Sequence, residues 1–256
     1  NFKEKYGEQN LRPEMHANIR SSIACLKSTE KIISLAKKTN GRLHVFHLST
    51  KEEAKLFDNQ NDLKNKKITS EVCIHHLSFN DADYKTKGNF IKWNPSIKTI
   101  EDQNALWDAL RSDKIDVIAT DHAPHTFNEK NQLYVDCPSG GPLVQHSLYI
   151  MYEHFLEKRI SLEKIVEKMC HNPAILFNIK KRGFIREGFF ADLVILRKNQ
   201  SWVINKNNIL YKCGWSPFEG KKINSMITHT FVSGNLAYEN GVFNQNIMGK
   251  KIEFNS

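Results

Sequence analysis

Two short apolar runs in the chain each end on a side chain that can bind a metal ion. In the first run, the period of two places His47 on the same strand face as Leu43 and Val45. In the second run, the same period places Asp121 on one face with Val117. Imidazole and carboxylate groups are common zinc ligands, and a carboxylate beside a bound metal can also move protons. The two runs therefore predict a metal-dependent site at the ends of two strands.

The segment 121–125 reads Asp-His-Ala-Pro-His, so a carboxylate and two imidazoles lie within five residues. Such density is typical of a hard or borderline metal with proton-transfer groups beside it. From spacing alone, two other roles stay open. His47 can be a hydrogen-bonded structural residue, and Asp121 can cap the helix that follows it.

The other histidines favour structural roles. His75 and His76 follow the second strand, where packing is the favoured role and metal ligation the alternative. His44 faces away from His47 on a regular strand, which favours packing or support of the site. Three more histidines lie in helical patterns and are predicted to be surface or packing residues, namely His16, His146 and His154.

The elements that position these residues alternate between helix and strand over about the first 180 residues. Apolar periodicity predicts helices over 13–39, 51–60, 100–112, 143–158 and 161–170, and strands over 42–48, 68–74 and 115–120. Asn172 and Pro173 predict the N-cap and first turn of a further short helix. The alternation predicts an α/β fold with parallel strands, and such folds place active sites at the C-terminal ends of their strands.

The pattern changes near Gly183, from helices to short strands and turns. Strands are predicted over 191–196, 201–204, 223–232 and 236–238, and Glu239-Asn240-Gly241 predicts a hairpin turn. We therefore predict a boundary between a first part, 1–182, and a β-rich part, 183–256.

The composition excludes several classes of protein. The formal net charge is +9, but 29 of the 37 basic residues are lysines and they are scattered, which disfavours a nucleic-acid-binding function. No apolar stretch approaches the roughly 18 residues of a membrane span. The five cysteines form no C-x-x-C pair, which favours free thiols in a reducing cytoplasm, with Cys73 in the core.

A set of ordered motifs extends over nearly the whole chain. The motifs are HVFHLST from His44, EVCIHHL from Glu71, NPSIK from Asn94, DHAPH from Asp121, CPSGGP from Cys137, NPA from Asn172, GFFADLV from Gly188 and CGWSPFEG from Cys213. In this order they resemble the dihydroorotases of the amidohydrolase superfamily. The order of the motifs is far more specific than any one of them.

This resemblance implies a fold and an activity. The fold would be the C-terminal part of a metal-dependent (β/α)8 TIM barrel followed by a small β-sandwich tail. The activity would be the reversible hydrolysis of the cyclic amide of dihydroorotate to N-carbamoyl-L-aspartate, in pyrimidine synthesis. The expected cofactor is Zn²⁺, as one or two ions. The expected partner is this small-molecule substrate, and neither nucleic acid nor a membrane is expected to bind. Whether the protein forms a homo-oligomer stays open.

The resemblance also implies roles for individual residues. His47 would bind zinc from the sixth barrel strand. Asp121 would bind zinc from the eighth strand and act as the catalytic acid and base. The implied substrate-binding residues are Asn94, His125, Ser139 and Gly140, the last two through their backbone.

The sequence departs from the family pattern at its first metal ligands. No H-x-H occurs in the chain, and no counterpart of the bridging lysine or aspartate, or of a further histidine ligand, is found in residues 1–40. Two protein ligands are fewer than the three typical of catalytic zinc. We therefore expect a fragment truncated at its N-terminus that binds zinc weakly and is inactive alone. The alternatives are a hydantoinase or allantoinase, and a non-catalytic partner protein.

Overall fold

Three parallel strands form the sheet that carries the predicted site. The strand order is β1 (Leu43–Val45), β2 (Ile68–Cys73) and β3 (Val117–Ala119). In the register of β1 and β2, His44 lies opposite Thr69, and in that of β2 and β3, Cys73 lies opposite Ala119. All three strands are shorter than the predicted runs, because the chain leaves the extended conformation before His47 and before Asp121.

The structure, a computed structural model, describes residues 2–60 and 62–255. It divides into two units. One runs to Ser147 and includes Ile204–Gly220, and the other consists of Leu148–Val203 and the chain from Lys221 onward. Position 182/183, the expected domain boundary, lies inside the second unit, where helices give way to strands. A domain boundary at this position stays a prediction.

The first unit contains eight α-helices and the parallel sheet within its described residues. The helices are α1 (Phe2–Tyr6), α2 (His16–Ile19), α3 (Ser22–Thr39), α4 (Lys51–Ala54), α5 (Ile74–Ser78), α6 (Tyr84–Lys87), α7 (Ile100–Arg111) and α8 (Phe127–Lys130). Short 3-10 turns cover Glu8–Asn10, Pro13–Met15, Asp81–Asp83 and Gly88–Ile91. The connection between β2 and α7 therefore contains short helices.

The long helix predicted over 13–39 was wrong at its N-terminal end. The chain breaks at Arg20, and α3 begins after Ser21, whose hydroxyl accepts a hydrogen bond from the backbone N–H of Ala24. A serine N-cap competes with helix continuation because its side chain replaces a backbone acceptor. The predicted end is confirmed, since Asn40 has the left-handed conformation of a helix C-cap.

Helix α7 shows how the sequence fixes the packing beside the sheet. Thr99 and Asp102 form a reciprocal capping box at its start. Leu106 and Leu110 are buried, and the indole N–H of Trp107 donates to the carbonyl of Leu77 at 2.9 Å. Of the predicted apolar face, only Ile100 is exposed, because it lies in the first turn.

His16 is buried in the first unit, which confirms the packing role predicted for it. Its Nε2 lies 2.7 Å from the carbonyl oxygen of Trp93, which can only accept, so Nε2 carries the proton. Its Nδ1 therefore accepts from the hydroxyl of Tyr134, also at 2.7 Å. Burial lowers the pKa of His16 to about 4, so the ring is neutral in the folded chain at neutral pH.

This burial predicts a loss of stability in acid. The pKa of His16 is lower in the folded chain than the value near 6.5 of an unfolded chain, so its stabilisation is complete above about pH 6.5 and falls as the pH drops toward 4. We expect His16 to account for a loss of about 2 kcal/mol at pH 4.5. Urea unfolding of the wild type and of His16→Gln at pH 7 and 4.5 measures the loss of unfolding free energy in each protein. An equal loss in both proteins would contradict the assignment of this loss to His16.

The second unit combines three helices with an antiparallel sheet. Its helices are α9 (Ser147–Leu156), α10 (Leu162–Val166) and α11 (Asn172–Leu176), and its strands, in sheet order, are β4 (Leu193–Val203), β5 (Lys222–Val232), β6 (Asn235–Glu239) and β7 (Val242–Phe243). Asn240 and Gly241 both have positive φ, which confirms the predicted hairpin turn.

Two sequence expectations in this unit were wrong. The strands predicted over 191–196 and 201–204 form the single strand β4, whose register shifts on either side of Arg197 absorb the turn-like residues Asn199 and Gln200. Asn172 is helical rather than an N-cap, because a π-turn over Glu167–His171 joins α10 to α11. A π-turn tolerates Pro173, which has no N–H to donate.

Candidate metal-dependent active site

The structure brings together His47 and Asp121, the two strand-end residues that the sequence predicts as ligands. Nε2 of His47 lies 3.7 Å from a carboxylate oxygen of Asp121, and both side chains are about one-fifth exposed. The two residues follow β1 and β3, which flank β2. A separation of 3.7 Å is close to the distance between two ligand atoms on one zinc ion, about 3.3 Å for bonds near 2.0 Å.

Glu71, in the centre of β2, orients His47 from behind. One carboxylate oxygen of Glu71 accepts a hydrogen bond from Nδ1 of His47 at 2.7 Å, and the other lies 3.1 Å from Nε2 of His44. A carboxylate on one ring nitrogen fixes the tautomer and directs the lone pair of the other nitrogen outward. Nε2 of His47 is therefore free to bind a metal next to Asp121. His44 also contacts Glu71, which agrees with the packing or supporting role predicted for it.

Both candidate ligands have unusual backbone conformations. The φ angle is 58° at His47 and 46° at Asp121, in the left-handed region that non-glycine residues seldom adopt. Such conformations cost free energy and concentrate at functional sites. In a regular strand, His44 and His47 would point to opposite faces. Because β1 ends at Val45 and His47 has a left-handed conformation, the side chains of both histidines contact Glu71.

The charges of the three side chains depend on one another. Burial alone would lower the pKa of His47, but the hydrogen bond and negative charge of Glu71, together with Asp121, raise it. Burial would raise the pKa of Glu71, but hydrogen bonds from His44 and His47 lower it. Burial raises the pKa of Asp121, with His47 opposing this shift and Glu71 adding to it. Asp121 is thus the more readily protonated of the two carboxylates, as a general acid and base requires.

Three of the predicted substrate-binding residues come together in the loop after β3. Nε2 of His125 donates to the carbonyl oxygen of Ser139 at 3.2 Å, since that oxygen can only accept. The next residue, Gly140, donates its N–H to the carbonyl of Lys92 at 2.9 Å. A Cβ atom at Gly140 would lie 2.5 Å from the carbonyl oxygen of Ala123, so only glycine allows this close approach.

Gly140→Ala should therefore displace the loop that holds His125. The φ of 125° at Gly140 is a region that alanine disfavours, and the new methyl group would force Ala123 aside. In the protein encoded by the complete reading frame, we expect a rise of about tenfold in the KM for the substrate, with a smaller change in kcat, because binding contacts are lost first. Steady-state kinetics measures both constants. Gly249→Ala, which meets nothing within 4 Å, is the control; equal KM values for the two variants would contradict the prediction.

Two residues to which the sequence analysis gave no individual role, His122 and Trp215, hold this loop in place. Nδ1 of His122 accepts hydrogen bonds from the backbone N–H groups of Leu143 and Val144. The indole N–H of Trp215 donates to the carbonyl of His125 at 2.8 Å. Trp215 belongs to the CGWSPFEG motif, 90 positions further along the chain, so no local pattern could have revealed this contact.

Asn94 is the predicted site residue with the fewest contacts to the others among the described residues. It is exposed, and within residues 2–60 and 62–255 its side chain forms no hydrogen bond with any of them. Its neighbour Trp93 is buried, accepts from His16 and packs against His75 with ring centroids 4.4 Å apart. The chain around Asn94 is therefore rigidly placed, and its substrate-binding role stays a prediction.

Comparisons with known proteins identify the family. A model of the amidohydrolase family matches residues 12–237. The chain belongs to the amidohydrolase family. This amidohydrolase chain is 36% identical over 208 residues to the dihydroorotase of Endomicrobium trichonymphae, and equally identical to that of Carboxydothermus hydrogenoformans. Each alignment covers 81% of the chain, and 49% and 48% of the respective relative. The chain thus spans about half the length of the curated relatives it matches.

Solved structures confirm that the chain has the α/β fold of metal-dependent amidohydrolases. The L-hydantoinase (dihydropyrimidinase) of Arthrobacter aurescens superposes with a TM-score of 0.78 at 27% identity, over 85% of this amidohydrolase chain and 49% of the other. The dihydropyrimidinase of Brevibacillus agri superposes with a TM-score of 0.82 at 21% identity, over 94% of the chain and 54% of the other. The family is metal-dependent.

Among the described helices, none combines the length and the apolar character that crossing a membrane requires.

Proposed function

We propose that this chain supplies part of a zinc-dependent dihydroorotase site, which hydrolyses the cyclic amide of dihydroorotate to N-carbamoyl-L-aspartate. The observation that carries the proposal is the pair formed by Nε2 of His47 and the carboxylate of Asp121, 3.7 Å apart. The dihydroorotases among the relatives support this substrate over other cyclic amides.

The same proposal extends to the architecture. We interpret β1, β2 and β3 as three neighbouring strands of an eight-stranded barrel, since they are parallel and joined by helical connections. The antiparallel strands β4 to β7 would belong to a small β-sandwich beside it. In a barrel, the C-terminal ends of the strands form the active-site face, which is where His47 and Asp121 lie.

The donor set suits zinc. His47 offers a neutral nitrogen and Asp121 offers an oxygen. Glu71 accepts a hydrogen bond from the other ring nitrogen of His47, an arrangement that is common for histidine ligands in zinc sites. A bound zinc ion makes water more acidic and polarises a carbonyl group. Two donors are fewer than a catalytic zinc needs, so further ligands have to complete the site.

Asp121 moves the proton in the proposed reaction. Its carboxylate accepts a proton from the attacking water and returns it to the amide nitrogen as the ring C–N bond breaks. Burial raises the pKa of Asp121 above that of an ordinary aspartate, which favours this exchange.

The loop after β3 and the segment at Asn94 would bind the substrate. His125 uses Nε2 for Ser139, which leaves Nδ1 for a polar group of the substrate. We propose that Ser139 and Gly140 contribute backbone contacts and that Asn94 contributes its side-chain amide. The side-chain amide of Asn94 can donate a hydrogen bond to the carboxylate of the substrate, and Nδ1 of His125 can accept one from an N–H group of the substrate.

A substrate comparison tests the proposed function. The protein encoded by the complete reading frame that contains these residues, here called the full-frame protein, is assayed with dihydroorotate, hydantoin and allantoin. We expect dihydroorotate to have the highest kcat/KM. Turnover of hydantoin with no turnover of dihydroorotate would instead support a hydantoinase, the second candidate, which the superposition on the L-hydantoinase favours.

The 256-residue chain alone should be inactive. Its two predicted ligands, His47 and Asp121, are fewer than the three of a catalytic zinc site, so zinc should bind weakly. Dihydroorotate hydrolysis is measured for the purified chain with added zinc. Turnover at the rate of the full-frame protein would contradict this prediction.

A further inference from the structure

A second group of metal-binding side chains lies behind His47, at the junction of β2 and α5. Cys73 ends β2, and His75 and His76 form the first turn of α5. All three are buried, with exposed fractions of 0%, 0% and 2%. One donor atom from each, the thiol sulfur and one nitrogen of each ring, lies within 4.8 Å of the other two. We call these residues the thiol–imidazole cluster.

The nitrogens of this cluster are free to bind an ion. Neither ring nitrogen of His75 has a hydrogen-bond partner among the described residues, although both are buried. Nε2 of His76 lies 3.1 Å from the carbonyl oxygen of Pro95, an acceptor, so that nitrogen carries the proton. Nδ1 of His76 then keeps a lone pair and has no hydrogen-bond partner among the described residues. Buried polar atoms without partners are costly, and a bound ion would satisfy Nδ1 of His76 and one of the two nitrogens of His75.

The rings are also held in place and neutral. His75 stacks on Trp93 with an angle of 12° between the planes, and the rings of His75 and His76 are 4.2 Å apart. Burial lowers the pKa of His76 to about 3 and holds that of His75 well below its usual value, so neither ring needs to lose a proton before binding. Only the thiol has to be deprotonated.

We propose that Cys73, His75 and His76 bind one thiophilic cation, such as Zn²⁺ or Cd²⁺, at a site separate from that of His47 and Asp121. One thiolate and two imidazoles are a donor set that such ions prefer. On binding, the thiol of Cys73 releases its proton to the solvent and a metal–sulfur bond forms. Zinc bonds of about 2.0 to 2.3 Å place donors about 3.5 Å apart, so the three donors have to approach one another by about 1 Å.

The new site is connected to the first through one contact. The sulfur of Cys73 lies 3.0 Å from Nδ1 of His47, on the side of the ring where Glu71 also binds. The side chain of His47 is 22% exposed, whereas the cluster is buried.

Cadmium titration of the metal-free chain tests the proposal. Cadmium–thiolate bonds absorb in the ultraviolet, and we expect this absorption to saturate with one ion per chain. Cys73→Ser should abolish it. His75→Phe keeps the ring stacked on Trp93 but removes both nitrogens, and should weaken cadmium binding at least tenfold. Unchanged binding in either variant would overturn the proposal.

Two controls and one measurement without variants complete the test. Cys170→Ser removes another of the free thiols and should leave the absorption unchanged. Asp121→Asn should also leave it unchanged, because the cluster does not use Asp121. In the wild-type chain labelled with ¹⁵N-histidine, zinc should shift the ring nitrogens of both His75 and His76. Failure of these resonances to shift would overturn the proposal even if the variants do not fold.

Discussion

Asp121→Asn is expected to lower the kcat of the full-frame protein for dihydroorotate at least about a thousandfold. The asparagine side chain has nearly the same shape, but it cannot accept the proton of the attacking water, and general acid–base catalysis contributes about 10² to 10⁴. It is also a weaker ligand for the metal that His47 and Asp121 would share. Steady-state hydrolysis, followed by the loss of the dihydroorotate ring, measures the effect.

Asp108→Asn is the matched control. Asp108 lies on the exposed side of α7 in an ion pair with Arg111, and it should keep wild-type activity. Circular dichroism of both variants shows whether they remain folded. A folded Asp121→Asn protein with more than a tenth of the wild-type kcat would exclude Asp121 as the proton carrier.

Glu71→Gln is expected to weaken zinc binding by about 10 to 100-fold, the usual effect of removing a carboxylate that supports a histidine ligand. Glutamine can still accept a hydrogen bond from Nδ1 of His47, but it lacks the charge that raises the basicity of the ring. The pKa of His47 should fall in this variant, because the hydrogen bond and charge of Glu71 raise it in the wild type. Competition with a chelator of known affinity measures zinc binding in the full-frame protein.

The control for this second experiment is Glu52→Gln. Glu52 is a partly exposed residue of α4, paired with Lys55, and it lies outside the site. Its replacement should change neither zinc affinity nor the pKa of His47. If Glu71→Gln binds zinc as tightly as this control does, the interpretation of Glu71 as a supporting carboxylate is wrong.

The two central residues of the site were predictable because their information is local. His47 and Asp121 each end an apolar run, and strand ends are where α/β enzymes place their chemistry. Glu71 was within a quoted motif but received no role, since its contacts with His44 and His47 depend on the register between β1 and β2. A glutamate inside a predicted strand was the signal available, and a buried carboxylate indicates that a partner exists without showing which residue it is.

The fold was predictable where periodicity is strong, as in α7 and β2, and less so where short-range capping competes with it. The break at Arg20 depends on the hydroxyl of Ser21, and the long strand β4 depends on its pairing with β5. The position of the loop at His125 depends on Trp215, far along the chain. Contacts of this kind are tertiary, and no window of the sequence contains both partners.

The register of β1 on β2 determines which changes of length the chain tolerates. Because Glu71 contacts both His44 and His47, a slip of one residue in β1 would turn His44 to the opposite face and break one of the two contacts. Most of the described residues between α4 and β2 are exposed, and such segments can gain or lose residues without moving the strand that carries Glu71. Insertions are therefore expected to accumulate there, while the five positions from Leu43 to His47 should keep a constant length.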